Sequence, residues 1–147
     1  MNRPWKCFGT VVLAIMVMAG ATLVHATVDE AHDFAMEAAT PFVEQGFIVR
    51  EDYWNGEIKS GQKLMIKHQM FKGNEYAFWL GSSNEGVAFE IKVYDDKGKE
   101  VSIDSKSSSM YASIRVNPPK TGTYTIVFSL KSKTETGLFW ALAYGYH

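Results

Sequence analysis

Residues 87–130 decide the fold class of this chain. They contain Val87-Ala-Phe-Glu-Ile-Lys-Val-Tyr-Asp95, then Asp96-Lys-Gly98, and later Asn117-Pro-Pro-Lys-Thr-Gly122-Thr-Tyr-Thr-Ile-Val-Phe128. Apolar residues alternate with polar ones, and Gly, Pro and Asp interrupt the runs. This pattern is typical of half-buried antiparallel strands joined by tight turns. The stretch therefore predicts a small β-sandwich, and it predicts no activity by itself.

The same alternation extends over most of the chain. Eight short strands are predicted in all, a number that favours an all-β sandwich or barrel over a parallel α/β sheet. Two polar stretches, 105–109 and 131–137, are predicted to be loops. The strands fall at 47–53, 64–70, 76–80, 87–93, 101–103, 110–116, 124–130 and 138–144.

A helix is predicted before the strands, over residues 28–45, with Gly46 as its end. Its apolar positions recur at spacings of three and four and are mostly alanine. Such a stripe suits close packing on a sheet, so we expect an internal role for the helix, in which it caps one end or edge of the sandwich and protects an edge strand. The alternative is a docking helix for another protein.

The first 26 residues are typical of a secretory signal peptide. Arg3 and Lys6 precede an apolar run at 11–18, and Val24-His-Ala26 presents small residues for cleavage after Ala26. An uncleaved membrane anchor is the competing interpretation. The expected organisation is a signal peptide at 1–26, the helix at 27–46 and the sandwich at 47–147, in a periplasmic or secreted protein.

The composition of residues 27–147 limits the kinds of partner. This part contains no cysteine, so it forms no disulfide and depends on its core for stability. It carries thirteen basic and sixteen acidic residues, a net charge of −3 that gives no footprint for nucleic acid. It has no second hydrophobic span, so no membrane span is expected in the mature form.

Residues 73–144 resemble the bacterial pre-peptidase C-terminal (PPC-like) domain family. The matching motifs are Gly73-Asn-Glu-Tyr76, Ile91-Lys-Val-Tyr-Asp95 with Gly98, Pro118 followed by Thr121-Gly-Thr-Tyr124, and Trp140-Ala-Leu142. The resemblance implies an antiparallel jelly-roll-like β-sandwich that serves as an accessory or binding module on secreted proteins. Family members usually accompany a catalytic domain, and this chain has none.

No cofactor or metal is expected. Asp95-Asp-Lys-Gly98 lacks the alternating aspartates of a calcium loop and is predicted to be a hairpin turn, with Gly98 at positive φ. His68 shares the inward parity of its strand and is expected to be a partly buried structural residue, because no histidine pair has zinc-ligand spacing. A Ser–His–Asp triad could be assembled from Ser82, His68 and Asp104. A triad is defined by the geometry of its residues, so their presence in the sequence does not establish one.

The aromatic residues are the better functional lead. Six of them are not clearly inward by parity, and five are candidate binding residues, with Trp54 and Trp79 first. Gathered on one exposed face they would mark a partner or glycan site; otherwise they cover a sheet or pack under the helix. The candidates are Tyr53, Trp54, Trp79, Tyr94 and Tyr111, and the sixth residue is Tyr146.

Three functions follow from these patterns. The leading hypothesis is a non-catalytic module that binds an envelope or secreted protein. The first alternative is carbohydrate binding, in which coplanar aromatics stack on sugars while Asn55, Glu57 and Asn84 bond hydroxyls. The second alternative is a hydrolase, which requires a His–carboxylate pair in a cleft beside a serine.

Overall fold

The computed structural model describes residues 23–147, which form one helix followed by nine strands. Apart from its last four residues, which belong to the helix, the predicted signal peptide lies outside the described residues. None of the described helical residues forms a segment long and apolar enough to cross a membrane. The elements are α1 (Leu23–Glu44), β1 (Ile48–Val49), β2 (Trp54–Lys59), β3 (Lys63–Met70), β4 (Tyr76–Ser82), β5 (Ala88–Tyr94), β6 (Ser102–Ser107), β7 (Tyr111–Val116), β8 (Gly122–Lys131) and β9 (Gly137–Tyr146).

The strands form two antiparallel sheets that pack face to face, so the predicted all-β sandwich with an N-terminal helix is confirmed. The smaller sheet has the order β3-β8-β5. The larger sheet has the order β1-β9-β4-β7-β6, and β2 also pairs with β9, on the same side as β1. The long strand β9 is therefore flanked by β1 and β2 on one edge and by β4 on the other.

Strand alternation sends one set of side chains into the space between the sheets. The inward residues of β4, β7, β8 and β9 are almost completely buried there, as period-two packing requires. Trp140 is 6% exposed and contacts Phe128 with ring centroids 4.8 Å apart. The parity predicted for β9 is thus confirmed.

A second apolar layer lies between the larger sheet and the helix. Alanines of α1 pack on the outward residues of β4 and β9, which include Ala77, Trp79 and Ala143. The helix consequently lies on a sheet face. The expected packing of its alanine stripe on a sheet is confirmed, and the expectation that it would cap an end or edge is wrong. An alanine stripe permits this position because small side chains let the helix backbone approach the sheet closely.

The glycine predicted to end the helix does so. Gly46 has φ +96°, its N–H donates to the Val43 carbonyl, and the Phe47 N–H donates to the Phe42 carbonyl, each at 3.0 Å. This is the Schellman motif, in which a residue in the left-handed conformation follows the end of the helix. The rings of Phe42 and Phe47 pack edge to face at 5.4 Å, which completes the motif.

Three strand predictions need correction. The predicted strand at 47–53 is reduced to two residues, and β2 was not predicted at all. Its sequence, Trp-Asn-Gly-Glu-Ile-Lys, has only two large apolar residues, and Gly56 lies beside the buried Trp140 ring. The strand predicted at 101–103 extends to Ser107, so part of the loop predicted at 105–109 is an exposed edge strand.

Candidate functional site

A concave site lined mainly by aromatic residues lies at one end of the sandwich, and we call it the aromatic cleft. It encloses about 340 Å³ between the end of β3, the end of β9 and the segment that joins β1 to β2. A volume of this size accommodates a small ligand or a partner's side chain. The lining residues are Arg50, His68, Gln69, Phe71, Asn74, Tyr76, Tyr144 and Tyr146.

Aromatic rings in mutual contact build the wall of the aromatic cleft. His68 of β3 and Tyr144 of β9 meet edge to face, with ring centroids 4.6 Å apart. Trp54 of β2 lies 5.7 Å from His68 and 5.5 Å from Tyr144, between the edges of the two sheets. Phe78 stacks behind Tyr144 at 5.9 Å. Edge-to-face and offset contacts are the favoured aromatic geometries, so this wall is preformed.

The charges at the cleft belong to Arg50 and Asp52. Burial lowers the pKa of His68 below its ordinary value, and the carboxylate of Asp52 offsets part of that effect. Burial and Asp52 also raise the pKa of Tyr144, while the guanidinium of Arg50 beside the Tyr144 hydroxyl opposes that rise. His68 is therefore neutral at neutral pH, and Tyr144 keeps its proton.

A short turn forms the rim of the cleft, and hydrogen bonds to Tyr76 hold it in place. The hydroxyl of the buried Tyr76 accepts hydrogen bonds from the Phe71 N–H at 2.9 Å and from Asn74 Nδ2 at 3.4 Å. Gly73 adopts φ +97°, which this turn requires. The ring of Phe71 stays 52% exposed beside the opening.

The five predicted binding residues do not share one face. Only Trp54 reaches the aromatic cleft, where it is half-buried and packs against the lining residues His68 and Tyr144. Tyr146, the sixth aromatic named from the sequence, lines the cleft itself. Tyr53 stacks on His32 of the helix at 3.8 Å. Tyr111 lines a depression between the helix and β6, and Tyr94 lies on the outer face of the smaller sheet.

The surface role predicted for Trp79 is wrong. Trp79 is fully buried, because the helix covers the face of β4 toward which it points. Its ring contacts Phe42 edge to face at 5.6 Å. The alternative expectation, that some aromatics pack under the helix, describes this residue.

Several cleft residues were not predicted. Tyr144 and Tyr76 were assigned to the core by parity, and both are buried, but their hydroxyl ends reach the cleft or its rim. Arg50 falls inside the strand predicted at 47–53 but lies between β1 and β2 in the structure, and Phe71 lies in the turn after β3, where alternation carries no information. His68 was expected to be partly buried, and that is confirmed.

A larger depression of about 490 Å³ lies between the helix and β6–β7. At its floor, Arg115 sits over the rings of Phe42 and Phe47, 5.2 and 5.4 Å from their centroids. Its Nε lies 3.0 Å from the Glu75 carboxylate, and Nη2 donates to the side-chain oxygen of Gln45. These contacts tie the end of the helix to the sheet, so this cluster is structural.

The turn after β5 forms as predicted. Gly98 has φ +77°, and one carboxylate oxygen of Asp95 accepts hydrogen bonds from the Lys97 and Lys99 N–H groups at 2.9 and 2.8 Å. The Lys99 bond is the main cause of the lowered pKa of Asp95. No cluster of three or more potential metal ligands occurs among the described residues.

The three residues of the hypothetical Ser–His–Asp triad lie at separate places in the structure. Ser82 is buried and donates to the Phe139 carbonyl at 2.8 Å, His68 lines the aromatic cleft, and Asp104 lines the depression beside the helix. Asp104 has φ +52° at an irregularity of the β6–β7 pairing. The described lining of the aromatic cleft contains no serine beside His68.

The likeness of this chain to known proteins is a distant structural one. No protein-family model matches the chain, and no curated protein matches it. One similar solved structure is the lipase BlEst2 of Bacillus licheniformis in its propeptide form, with 20% sequence identity and a TM-score of 0.46. The match covers 64% of this chain and 21% of the other, so this chain spans about a fifth of that protein's length.

Proposed function

We propose that this protein is an exported, non-catalytic module that binds another envelope or secreted protein through the aromatic cleft. The observation that carries the proposal is the pairing of a preformed aromatic wall with an exposed apolar side chain at its rim. Phe71 is 52% exposed directly beside the opening. Large exposed aromatics next to a concave site are typical of the anchoring points of protein interfaces.

The chemistry of the cleft favours an apolar side chain with a nearby acid as its ligand. The wall offers ring surfaces and a neutral imidazole, and Arg50 provides a cation at the mouth. Arg50 is only loosely paired with Asp52, at 3.7 Å, and keeps about half of its side chain exposed. A bidentate carboxylate contact to such an arginine is strong and directional.

Carbohydrate binding is the second candidate. Arg50, Gln69 and Asn74 supply hydrogen-bonding groups around the rings. Against it, the rings of the wall meet one another at 22° to 86°, and the nearly parallel pair, Phe78 and Tyr144, is buried and so offers no coplanar exposed platform. Asn84, expected to bond a sugar hydroxyl, instead accepts a hydrogen bond from the Phe139 N–H at 3.1 Å.

The proposal includes the family and the location. A PPC-like module would account for a β-sandwich that lacks a catalytic set at its cleft. Export to the periplasm or the medium is inferred from the signal-peptide pattern of residues 1–26 and from the lack of cysteine after it.

Affinity capture tests the proposal. Residues 27–147 are immobilised and exposed to native envelope extract, and retained proteins are identified by mass spectrometry. We expect one near-stoichiometric protein that Phe71→Ala and Arg50→Ala no longer retain. The matched control is Ile103→Ala, which removes an apolar side chain 44% exposed on the edge strand β6.

A glycan screen on the same protein separates the two candidates. Glycan binding that depends on Arg50 and Phe71, without a retained protein, would replace the leading function with the second. Retention of the same protein by all three variants would show that the aromatic cleft is not the binding site.

A further inference from the structure

The two outer faces of the sandwich differ in whether another element packs on them. The helix packs on the larger sheet, whereas none of the described elements packs over the outside of β3, β8 and β5. We call this open surface the lysine face. Its outward residues include Lys63, Met65, Lys67, Glu90, Lys92, Tyr94, Val127 and Lys131, which strand register places side by side.

The lysine face is positively charged in a protein that is slightly acidic overall. It carries four lysines and one glutamate, while the whole chain has a net charge of −1. Glu90 lies 3.9 Å from Lys92 and offsets that one lysine in part. On the opposite side of the molecule the helix contains no lysine or arginine, and its exposed acids are Asp29, Glu30, Asp33, Glu37 and Glu44.

This separation of charge gives the protein an orienting field. An anionic surface attracts the lysine face and repels the helix side, so encounter favours one orientation.

The shape of the face excludes a small ligand. The depression beside Lys92 and Tyr94 holds only about 20 Å³, far below a typical ligand site of several hundred Å³. Lys63 and Lys67 are four residues apart on β3, which corresponds to about 13 Å, and the sheet is about 10 Å wide from β3 to β5. The surface is therefore broad and shallow.

Met65 indicates what kind of anionic partner fits. It is 72% exposed, the highest value among the large hydrophobic residues of the described chain, and it lies between Lys63 and Lys67 on the same strand. Val127 and Lys92 continue its row across the sheet. Apolar side chains surrounded by lysines suit the boundary between lipid headgroups and acyl chains, whereas a soluble polyanion offers Met65 no apolar environment.

We propose that the lysine face docks this protein on a membrane surface that contains anionic phospholipid, with Met65 inserted among the headgroups. The four lysines contact lipid phosphates, and Tyr94 lies at the interface with its hydroxyl available to water or phosphate. The aromatic cleft is a separate site, so a bound protein partner and a membrane could be engaged together.

Vesicle co-sedimentation of residues 27–147 tests this proposal. The probes are vesicles of phosphatidylcholine alone and vesicles of an equal mixture of phosphatidylcholine and phosphatidylglycerol. We expect binding to the mixed vesicles only, and its loss at about 1 M salt, where the Debye length is about 3 Å. Each lysine contributes about fivefold in affinity near an anionic surface, so Lys63→Gln, Lys67→Gln and Lys92→Gln combined should weaken binding roughly hundredfold.

A charge-matched triple variant is the control. Lys59→Gln, Lys106→Gln and Lys133→Gln change the net charge equally but lie off the lysine face, and we expect near wild-type binding. All six lysines are exposed or half-exposed, so melting temperatures should stay within the spread of surface substitutions. Equal binding by the two triple variants would overturn the proposal.

Met65→Ser distinguishes a bilayer from a soluble polyanion. Insertion requires that Met65→Ser weaken binding to the mixed vesicles several-fold while leaving retention on heparin unchanged. Wild-type vesicle binding by Met65→Ser would rule out the bilayer as the occupant. Retention on heparin without any vesicle binding would overturn the proposal in favour of a soluble polyanion.

Discussion

At the scale of single residues, Trp140 holds the two sheets together. It lies on the central part of β9, is 6% exposed and packs against Phe128 of the opposite sheet. Its Nε1 is buried without a hydrogen-bond partner, which costs stability. The stability that Trp140 contributes therefore comes from the apolar contacts of its ring, which offset this cost.

Trp140→Ala should therefore destabilise the protein by about 3–5 kcal/mol, because it removes a large buried ring and leaves a cavity. Urea unfolding followed by circular dichroism measures the change. Met65→Ala, at an exposed position, is the control and should change stability little. An unfolding midpoint for Trp140→Ala equal to that of the wild type would show that the ring is not part of the core.

His68 makes stability depend on pH. Its pKa is lowered in the folded state, so the unfolded chain binds the proton more readily and stability falls as pH decreases below about 6.5. We expect this loss to begin as the pH falls through about 6.5, the ordinary pKa of histidine, above the range in which most carboxylates titrate.

His68→Gln removes that proton-binding group and should flatten the pH dependence in this window. Thermal melts at several pH values give the comparison, with His32→Gln on the helix surface as a control. Parallel curves for the wild type and His68→Gln would contradict the assignment.

Trp79 shows what alternation can and cannot predict. Parity correctly places it opposite to Phe78, on the outward face of β4. Whether an outward face meets water depends on another element, and here a helix about 40 residues earlier in the chain covers it. The burial of Trp79 is thus a tertiary effect that the strand's own sequence does not contain.

At the scale of elements, the helix docks through a glycine. A Cβ at Gly81 would clash with the Ala31 carbonyl oxygen and come within 2.5 Å of the Ala35 nitrogen, both in the helix backbone. Backbone cannot move aside as a flexible side chain can, so this position of β4 requires glycine for the helix to lie close.

Gly81→Ala should destabilise the protein by about 1–3 kcal/mol, the usual cost of overpacking. Gly122→Ala is the matched control, because a Cβ there meets nothing within 4 Å and its φ lies outside the left-handed region. Chemical denaturation of both variants provides the test. Equal stability of Gly81→Ala and Gly122→Ala would mean that the helix does not lie close enough to β4 to clash with a Cβ at position 81.

The missed strand β2 and the misplaced helix have related causes. Strand β2 has few apolar residues because it is an edge strand that pairs only with β9. The alanine stripe correctly predicted close packing on the sandwich, but a stripe does not specify which surface it meets. The aromatic cleft combines ends of distant strands with turns, so the aromatics named from the sequence contribute only Tyr146 to its lining and Trp54 to the rings packed against that lining.

At the scale of the whole molecule, the protein has three layers: helix, larger sheet and smaller sheet. The middle layer is apolar on both faces. Removing the helix would therefore also expose an apolar face of the larger sheet to water. Residues 47–147 alone would expose Ala77, Trp79 and Ala143 to water.

We expect the 47–147 fragment to bind a hydrophobic dye and to show red-shifted tryptophan emission relative to residues 27–147, because Trp79 becomes hydrated. Fluorescence at matched concentration measures both properties. An identical emission maximum and melting temperature for the two proteins would show that the helix is dispensable for the fold.

Strand β9 also determines when the protein can fold. It supplies the shared neighbour of β1, β2 and β4, yet it is made last among the described strands. At a synthesis rate of about 5–20 residues per second, β2 waits for roughly 5–20 seconds before its pairing partner exists. The nascent chain therefore cannot complete its larger sheet stepwise. A chain whose larger sheet stays incomplete for this interval is suited to threading through a translocation channel, as the proposed export requires.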